Sequence, residues 1–436
     1  MLLSESHQVR FKEIPLRSIT TFFAFISLFW ASCLHASLLH IAPSSVEAEA
    51  WTILDSQSGQ IIASHNSEQQ RAPASLTKMM VAYISLKEIQ AGRLKKEEII
   101  RATPVVNMVQ PDESQMYLKV GEQISVDQLL AGLIVMSAND AAVTLAERIS
   151  GNVPAFVQRM NQEAQALGMH NTHFTNPAGI TMPAHYSSAH DMALLGQKLT
   201  QQTPDYLSYS IQPDFRYKEH FHHATNLALK TDPSVDGLKT GYTQAAGYNL
   251  ALTAHRPSGL PNQPDRRIIV VVMGTKSAVK RSQIAEQLLN LAYVYSRNEI
   301  AIQEKQQLAE LPVIRSTLKI FKIQSPQPHI VTTSLYNHSN PILLTQFDPT
   351  RQLLVIQDQQ HQPQIIAPAQ NTQTHFDVEL TQKSLTAPLA GPMELAKVHV
   401  YQNQQLLQTF NIQDNVILEQ AHWWQRLWMW LIGLFA

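Results

Sequence analysis

Pro73-Ala74-Ser75-Leu76-Thr77-Lys78-Met79-Met80 is the stretch on which the reading of this chain turns. Small residues lead into large apolar ones, as where a turn enters a helix, and the pattern inside is Ser-x-x-Lys. Residues three apart share one helix face about a turn from each other, which puts the Lys78 amine over the Ser75 hydroxyl. A serine alcohol is inert at neutral pH until a base takes its proton. A lysine can be that base only when burial or a second cation depresses its pKa. Met79, Met80, Val81, Ile84 and Leu86 supply the apolar surround. Ser75 also falls in a first helical turn, whose free N–H groups suit an oxyanion. Alone the pattern is common, and an N-cap serine beside a solvated lysine is its ordinary explanation.

The rest of the chain bounds the answer. With 436 residues, 44% of them hydrophobic, it can fill several domain-sized units and bury a substantial core. A formal net charge of −1 and the lack of a basic run argue against nucleic acid as a partner. Arg10, Lys12 and Arg17 precede an apolar run over residues 20–30, the plan of a secretory signal, here assigned to residues 1–36. Leu34-His35-Ala36 and the later Val46-Glu47-Ala48 are both possible cleavage boxes. The single cysteine, Cys33, lies inside that segment, so a mature chain cut after it has neither a thiol nucleophile nor a disulfide.

After the signal, Trp51-Thr52-Ile53-Leu54-Asp55 and Ile61-Ile62-Ala63-Ser64 flank Ser58-Gly59 and read as a β-hairpin leading to the Ser75 helix. Ser125 caps a helix expected to end near Met136. Ser137-Ala138-Asn139-Asp140 follows, then a helical run over residues 141–149. Leu238-Lys239-Thr240-Gly241-Tyr242-Thr243 reads as an edge strand, with strands over residues 249–254 and 267–273 beside it and a helix over 277–295 closing the unit. Strands at both ends with helices between imply an α+β domain whose terminal strands share one antiparallel sheet. Residues 37–297 are assigned to it. Residues 298–414, rich in Gln, Pro and Thr with short alternating runs, read as a small all-β domain that docks or spaces. Residues 415–436 carry Trp423, Trp424, Trp428 and Trp430, with Asn415, Glu419, His422 and Arg426 every three or four positions. That is an amphipathic helix expected to lie in a membrane surface.

Ser75-Leu76-Thr77-Lys78, Ser137-Ala138-Asn139 and Lys239-Thr240-Gly241 stand in chain order, and together they are specific where each alone is not. With Asn171-Thr172-His173-Phe174, Ser187-Ser188-Ala189, Val235-Asp236-Gly237 and Ala246-Gly247-Tyr248-Asn249-Leu250, the chain from about Trp51 to Tyr295 resembles the low-molecular-mass penicillin-binding D-alanyl-D-alanine carboxypeptidases. The β-rich unit and Trp-rich tail resemble that family's second domain and membrane anchor.

The resemblance implies a DD-peptidase/β-lactamase-like fold. It implies a serine carboxypeptidase that removes the terminal D-alanine of peptidoglycan stem pentapeptides through an acyl-enzyme. β-Lactams would be its covalent inhibitors and no cofactor or metal would be needed. It further implies Ser75 as nucleophile, Lys78 as base and Ser137 as proton carrier to the leaving amine. Asn139 would hold Lys78 and the substrate amide. Lys239 and Thr240 would bind the substrate carboxylate, and Gly241 would complete that motif. The N–H groups of Ser75 and Tyr242 would form the oxyanion hole. Its location would be the periplasmic face of the inner membrane.

Ala138 stands where Gly or Asp is often found, and His190 and Lys276 where relatives commonly carry Arg; a lysine offers a carboxylate no paired fork. Three other readings compete. A DD-endopeptidase acting on cross-linked peptides shares every motif. A class A β-lactamase needs a glutamate between the second and third motifs, and residues 164–218 contain none, so β-lactam release should be slow. A metal hydrolase is suggested by His220, His222 and His223, with His170, His173, His185 and His190 nearby in sequence, but lacks His-Glu-x-x-His. A catalytically dead wall-binding protein is opposed by Ser75, Lys78 and Lys239 being intact.

Overall fold

The computed structural model describes residues 37–258, 265–357 and 362–433; the expected signal segment, 1–36, lies outside them. Strands β1 (Ala50–Asp55) and β2 (Ile61–His65) form the expected hairpin. A 3-10 turn over Ala74–Thr77 then opens helix α1 (Lys78–Gln90). Helices α2 (Val126–Ala131), α3 (Asn139–Ser150), α4 (Val153–Ala166), α5 (Ala189–Gln202) and α6 (Tyr206–Ser210) follow. The chain returns through β3 (Val235–Thr243), β4 (Gly247–Arg256) and β5 (Arg266–Thr275) to helix α7 (Ala278–Tyr295). Ser125, Asn152, Ser188 and Ser277 each accept a backbone N–H at the helix start they cap.

The five strands form one antiparallel sheet in the order β2-β1-β5-β4-β3. Its centre shows why residues 268–273 are unbroken apolar sequence. Ile269, Val271 and Met273 face α1 and α5, whereas Ile268, Val270 and Val272 face α7, so both sides are covered. Helix α1 carries apolar residues around its whole circumference because it lies inside the helical layer, with residues 78–86 buried.

Residues 298–418 are β-rich as expected, but the hydrophobic contacts do not follow a boundary at 297. Ile342, Leu344, Phe347, Leu354 and Ile366 join the core formed by Trp51, Leu250 and the α7 residues Ile284 and Leu288. The remaining strands enclose a core of their own around Leu311, Ile323, Leu395, Val398 and Ile412. The two parts also meet through polar groups. Buried Asp55 accepts from Arg266 Nε at 2.6 Å and from Asn298 Nδ2 at 3.0 Å.

The tail departs from the expected helix over 415–436. A strand, Gln405–Leu418, continues through Asn415, and the helix begins only at Trp423, running to Gly433. Asn415 and Glu419 therefore belong to no helical stripe. Val416 and Leu418 alternate inward from the strand, and the Ala421 N–H is held by the Arg315 carbonyl at 2.8 Å. Trp423, Trp424, Leu427 and Trp428 are all exposed. Among the described residues no helix is long and apolar enough to cross a membrane.

Candidate active site

The Ser75 turn is built from both sides. Lys78, only 1% exposed, has its Nζ 3.1 Å from Ser75 Oγ and donates to the Ala178 carbonyl at 2.5 Å. That carbonyl is fixed by Asn176, whose Oδ1 accepts the N–H groups of Ala178, Gly179 and Ile180 at 3.1, 2.7 and 3.0 Å. Gly179 adopts φ +86°, and a Cβ there would stand 2.0 Å from the Ala74 oxygen, so this loop rests directly on the Ser75 turn. With one N–H committed to Ala178, a neutral Lys78 can turn its lone pair to the Ser75 proton.

Neutrality is what the surroundings favour. Burial first, then the positive charge of Lys239, holds the Lys78 pKa well below that of an ordinary lysine, while Glu113 and Asp140 pull against them. His185 braces the same turn. Its Nδ1 accepts from the Thr175 N–H at 3.0 Å, which leaves Nε2 to donate to Thr77 Oγ1 at 2.9 Å. Burial lowers its pKa to about 4, so it stays neutral beside Lys78.

The second motif sits at an irregularity. Helix α2 widens into a π turn over Gly132–Met136 and stops at Ser137, held left-handed at φ 62° and ψ 33° before α3 begins at Asn139. Buried Asp140 at the head of α3 accepts the N–H groups of Met116 and Leu118, each at 3.0 Å, and Asn139 N–H donates to the Ser114 carbonyl at 2.7 Å. The loop over 113–118 is thereby pinned across the corner. The Asn139 amide departs from the role expected of it. Its Nδ2 donates to Glu113 Oε2 at 2.5 Å, whereas Lys78 bonds Ser75 and Ala178. No hydrogen bond of Ser75, Lys78 or Lys239 goes to the Ser137 hydroxyl among the described residues.

The third motif arrives on β3, the sheet edge nearest Ser75. Gly241 is required there, since a Cβ would come within 2.9 Å of Ser75 N and 3.1 Å of the Pro73 oxygen. Lys239 and Thr240 are buried. Lys239 Nζ donates to the Thr240 carbonyl at 3.0 Å, and the Thr240 and Thr225 hydroxyls share a hydrogen bond. Tyr242 is exposed and lies 4.3 Å from the Tyr248 ring.

Behind Lys239 stands Arg281, from the first turn of α7, buried and donating to the carbonyls of Thr225 at 3.0 Å and Asn249 at 3.4 Å. Burial, with Arg281 adding to it, lowers the Lys239 pKa to about 7; burial lowers Arg281 itself to about 10. Among the described residues no carboxylate forms a salt bridge with Lys78, Lys239 or Arg281, and Arg281 Nε has no partner. Buried cations without a counter-ion are costly, and a bound anion would relieve that cost.

Lys276 does not share this buried position. It is exposed at the mouth of α7, and Arg281, five residues on, takes the buried place. His190 stands outside the site, 3.2 Å from Glu68 Oε1 and 3.5 Å from Asp191 Oδ1, and its pKa is raised, chiefly by its hydrogen bond to Asp191. His220, His222 and His223 lie on a separate hairpin. Among the described residues the groups that converge in the manner of metal ligands are Glu68, His190 and Asp191, so of the candidate histidines His190 alone takes part.

A half-buried serine against a buried, pKa-depressed lysine, on a turn where an edge strand brings a second lysine and a helix an arginine, is the arrangement of a serine hydrolase that works through an acyl-enzyme. The chain belongs to the D-alanyl-D-alanine carboxypeptidase family of serine peptidases, whose family model matches residues 38–277. It is 29% identical over 403 residues to the D-alanyl-D-alanine carboxypeptidase DacA of Haemophilus influenzae, covering 91% of this chain and 92% of that one. The crystal structure of penicillin-binding protein 5 from Haemophilus influenzae superposes with a TM-score of 0.72 at 29% identity, over 87% of this chain and all of the other. Penicillin-binding protein D2 from Listeria monocytogenes in its cefotaxime-bound form matches with a TM-score of 0.50 at 28% identity, over 56% of this chain and 96% of that one.

Proposed function

We propose that this chain removes the terminal D-alanine from peptidoglycan stem pentapeptides through an acyl-enzyme on Ser75. The observation that carries the reading is the pair of buried cations, Lys239 and Arg281, beside the Ser75–Lys78 pair, with no carboxylate in a salt bridge to either among the described residues. It suits a substrate that brings its own carboxylate next to the scissile bond. Lys239, Thr240 and Arg281 would hold the C-terminal carboxylate, leaving the penultimate carbonyl over Ser75.

Lys78 takes the Ser75 proton as Oγ attacks that carbonyl, and the oxyanion is received by the Ser75 and Tyr242 N–H groups. The C–N bond then breaks, Ser137 passes a proton from Lys78 to the departing D-alanine amine, and water, deprotonated in its turn by Lys78, hydrolyses the ester and restores the hydroxyl. Asn139, held by Glu113, is left to bond the peptide amide on the acyl side. A β-lactam offers the same carboxylate and a strained amide, and the cefotaxime-bound Listeria relative supports the expectation of a covalent adduct.

Residues 37–297 would carry this chemistry and the β-rich unit would set its distance from the membrane. The exposed Trp face of the last helix would hold the protein on the periplasmic side of the inner membrane after signal-directed export. The test is release of D-alanine from a synthetic pentapeptide ending in D-Ala-D-Ala, beside the same peptide with its C-terminal carboxylate amidated. One D-alanine per peptide is expected from the first and at least a hundredfold slower cleavage of the second, roughly the cost of leaving such cations unpaired. Equal cleavage of both would remove the carboxylate from the reading.

A further inference from the structure

Glu113 is a charged group in the cleft that the reaction above does not consume. It is half-buried on the loop over 113–118, which Asn139 holds by donating to Glu113 and Ser114 and Asp140 holds by accepting from the Met116 and Leu118 N–H groups, so its position is built and not incidental. One carboxylate oxygen, Oε2, accepts from Asn139 Nδ2 at 2.5 Å. No lysine, arginine or histidine forms an ion pair with it among the described residues, although its charge is felt at Lys78. Asp112 beside it is exposed and adds to the negative rim.

A carboxylate at a cleft edge, rigidly placed and lacking an ion-pair partner of its own, is a receptor for a cation. On the reading given above, on which this inference rests, the Asn139 amide bonds the acyl-side peptide. The residue preceding the two D-alanines then lies about one extended residue, roughly 3.5 Å along the chain, from the Asn139–Glu113 pair. An aminoalkyl side chain on that residue is the substrate group that would meet Glu113.

We propose that Glu113 is a specificity residue that receives the free ammonium group on the side chain of the diamino residue preceding D-Ala-D-Ala. The carboxypeptidase would then prefer stem peptides whose side-chain amine is free over those in which it has been acylated by cross-linking. Asn139 gains from the same contact, because a carboxylate on Nδ2 fixes which end of the amide faces the substrate.

The experiment compares kcat/KM of the full chain on two peptides, acyl-Lys-D-Ala-D-Ala and its Nε-acetyl-lysine counterpart, for the wild type and Glu113→Gln, with benzylpenicillin acylation measured alongside. The wild type should favour the free amine by about tenfold at low ionic strength, less in high salt, and Glu113→Gln should bring the ratio close to one while still being acylated. A wild type indifferent to acetylation, or a ratio unchanged in Glu113→Gln, overturns the proposal. So does a variant that loses both peptides and penicillin in the same proportion, which would make Glu113 only a brace for Asn139. Penicillin acylation of the wild type separates the two failures. If it persists, the Glu113 proposal alone falls; if acylation and peptide hydrolysis are both absent, the Ser75 reading falls and takes this one with it.

Discussion

Replacing Gly241 by alanine tests how tightly β3 closes on the nucleophile. The added Cβ would stand 2.9 Å from Ser75 N, and 3.1 Å from both Ala74 Cβ and the Pro73 oxygen, where ordinary contact begins at 3.4 Å. Two of these three neighbours are backbone atoms, so no flexible side chain can give way. Either β3 or the Ser75 turn must move by about half an ångström, at a cost of about 1–3 kcal/mol for overpacking. For a chain of this size that lowers Tm by roughly 1–4 °C. The same shift separates the Tyr242 and Ser75 N–H groups, and if a misplacement of about 1 Å costs about a hundredfold, half of it costs about tenfold. Acylation by fluorescent penicillin, followed in time, should slow by about tenfold or more, with the melting curve displaced downward. Gly92→Ala is the comparison. Gly92 has φ +71° with nothing within 4 Å, so its alanine should cost about 1 kcal/mol of strain and leave acylation alone. Acylation of Gly241→Ala within twofold of wild type, at an unchanged Tm, would refute the reasoning that strand and nucleophile meet here.

Other predictions bear on the electrostatics and the tail. Arg281→Ala should lower kcat/KM on D-Ala-D-Ala peptides by about a hundredfold, whereas Lys276→Ala should stay within twofold; steady-state kinetics on both would reverse the assignment if the effects were exchanged. Protonation of Lys78 removes the base, so acylation should fall on the acid side. Deprotonation of Lys239, with its pKa near 7, removes the carboxylate's partner, so kcat/KM should also fall above neutrality. Because a bound carboxylate raises the Lys239 pKa, the alkaline limb of kcat should lie above that of kcat/KM. In Lys239→Arg, which keeps its charge, that limb should vanish; its persistence would exclude Lys239 as its source. A chain ending at Ala421 should leave the membrane fraction on centrifugation and still bind penicillin. A chain ending at Asn415 should instead lose stability, since it also removes buried Val416 and Leu418.

What the sequence makes legible is what local geometry settles. Ser75 and Lys78 meet because three residues on a helical turn bring them together, and the strand over residues 238–243 is recognisable from the change of pattern after Gly237. Arg281, Asp140, Glu113 and the Ala178 carbonyl reach the site through tertiary placement, which no short pattern encodes. Arg281 did leave one trace: with Ala285, Leu288, Ala292 and Tyr295 it falls on the buried stripe of α7, where a solvated arginine has no reason to be. The tail misled because Asn415, Glu419, His422 and Arg426 happen to keep a helical interval. The alternation of Val416 and Leu418, with a partner strand beside them, decides the backbone instead. The core boundary misled for a similar reason: residues 342–366 read as short strands, but nothing local says that their apolar side chains face α7.

The account comes down to whether Ser75 is the atom that becomes acylated. Intact-mass spectrometry after incubation with benzylpenicillin measures that directly. The wild-type chain should gain the mass of one opened penicillin, Ser75→Ala should gain none, and Lys78→Ala should gain it far more slowly. An adduct of equal yield on Ser75→Ala would contradict the account.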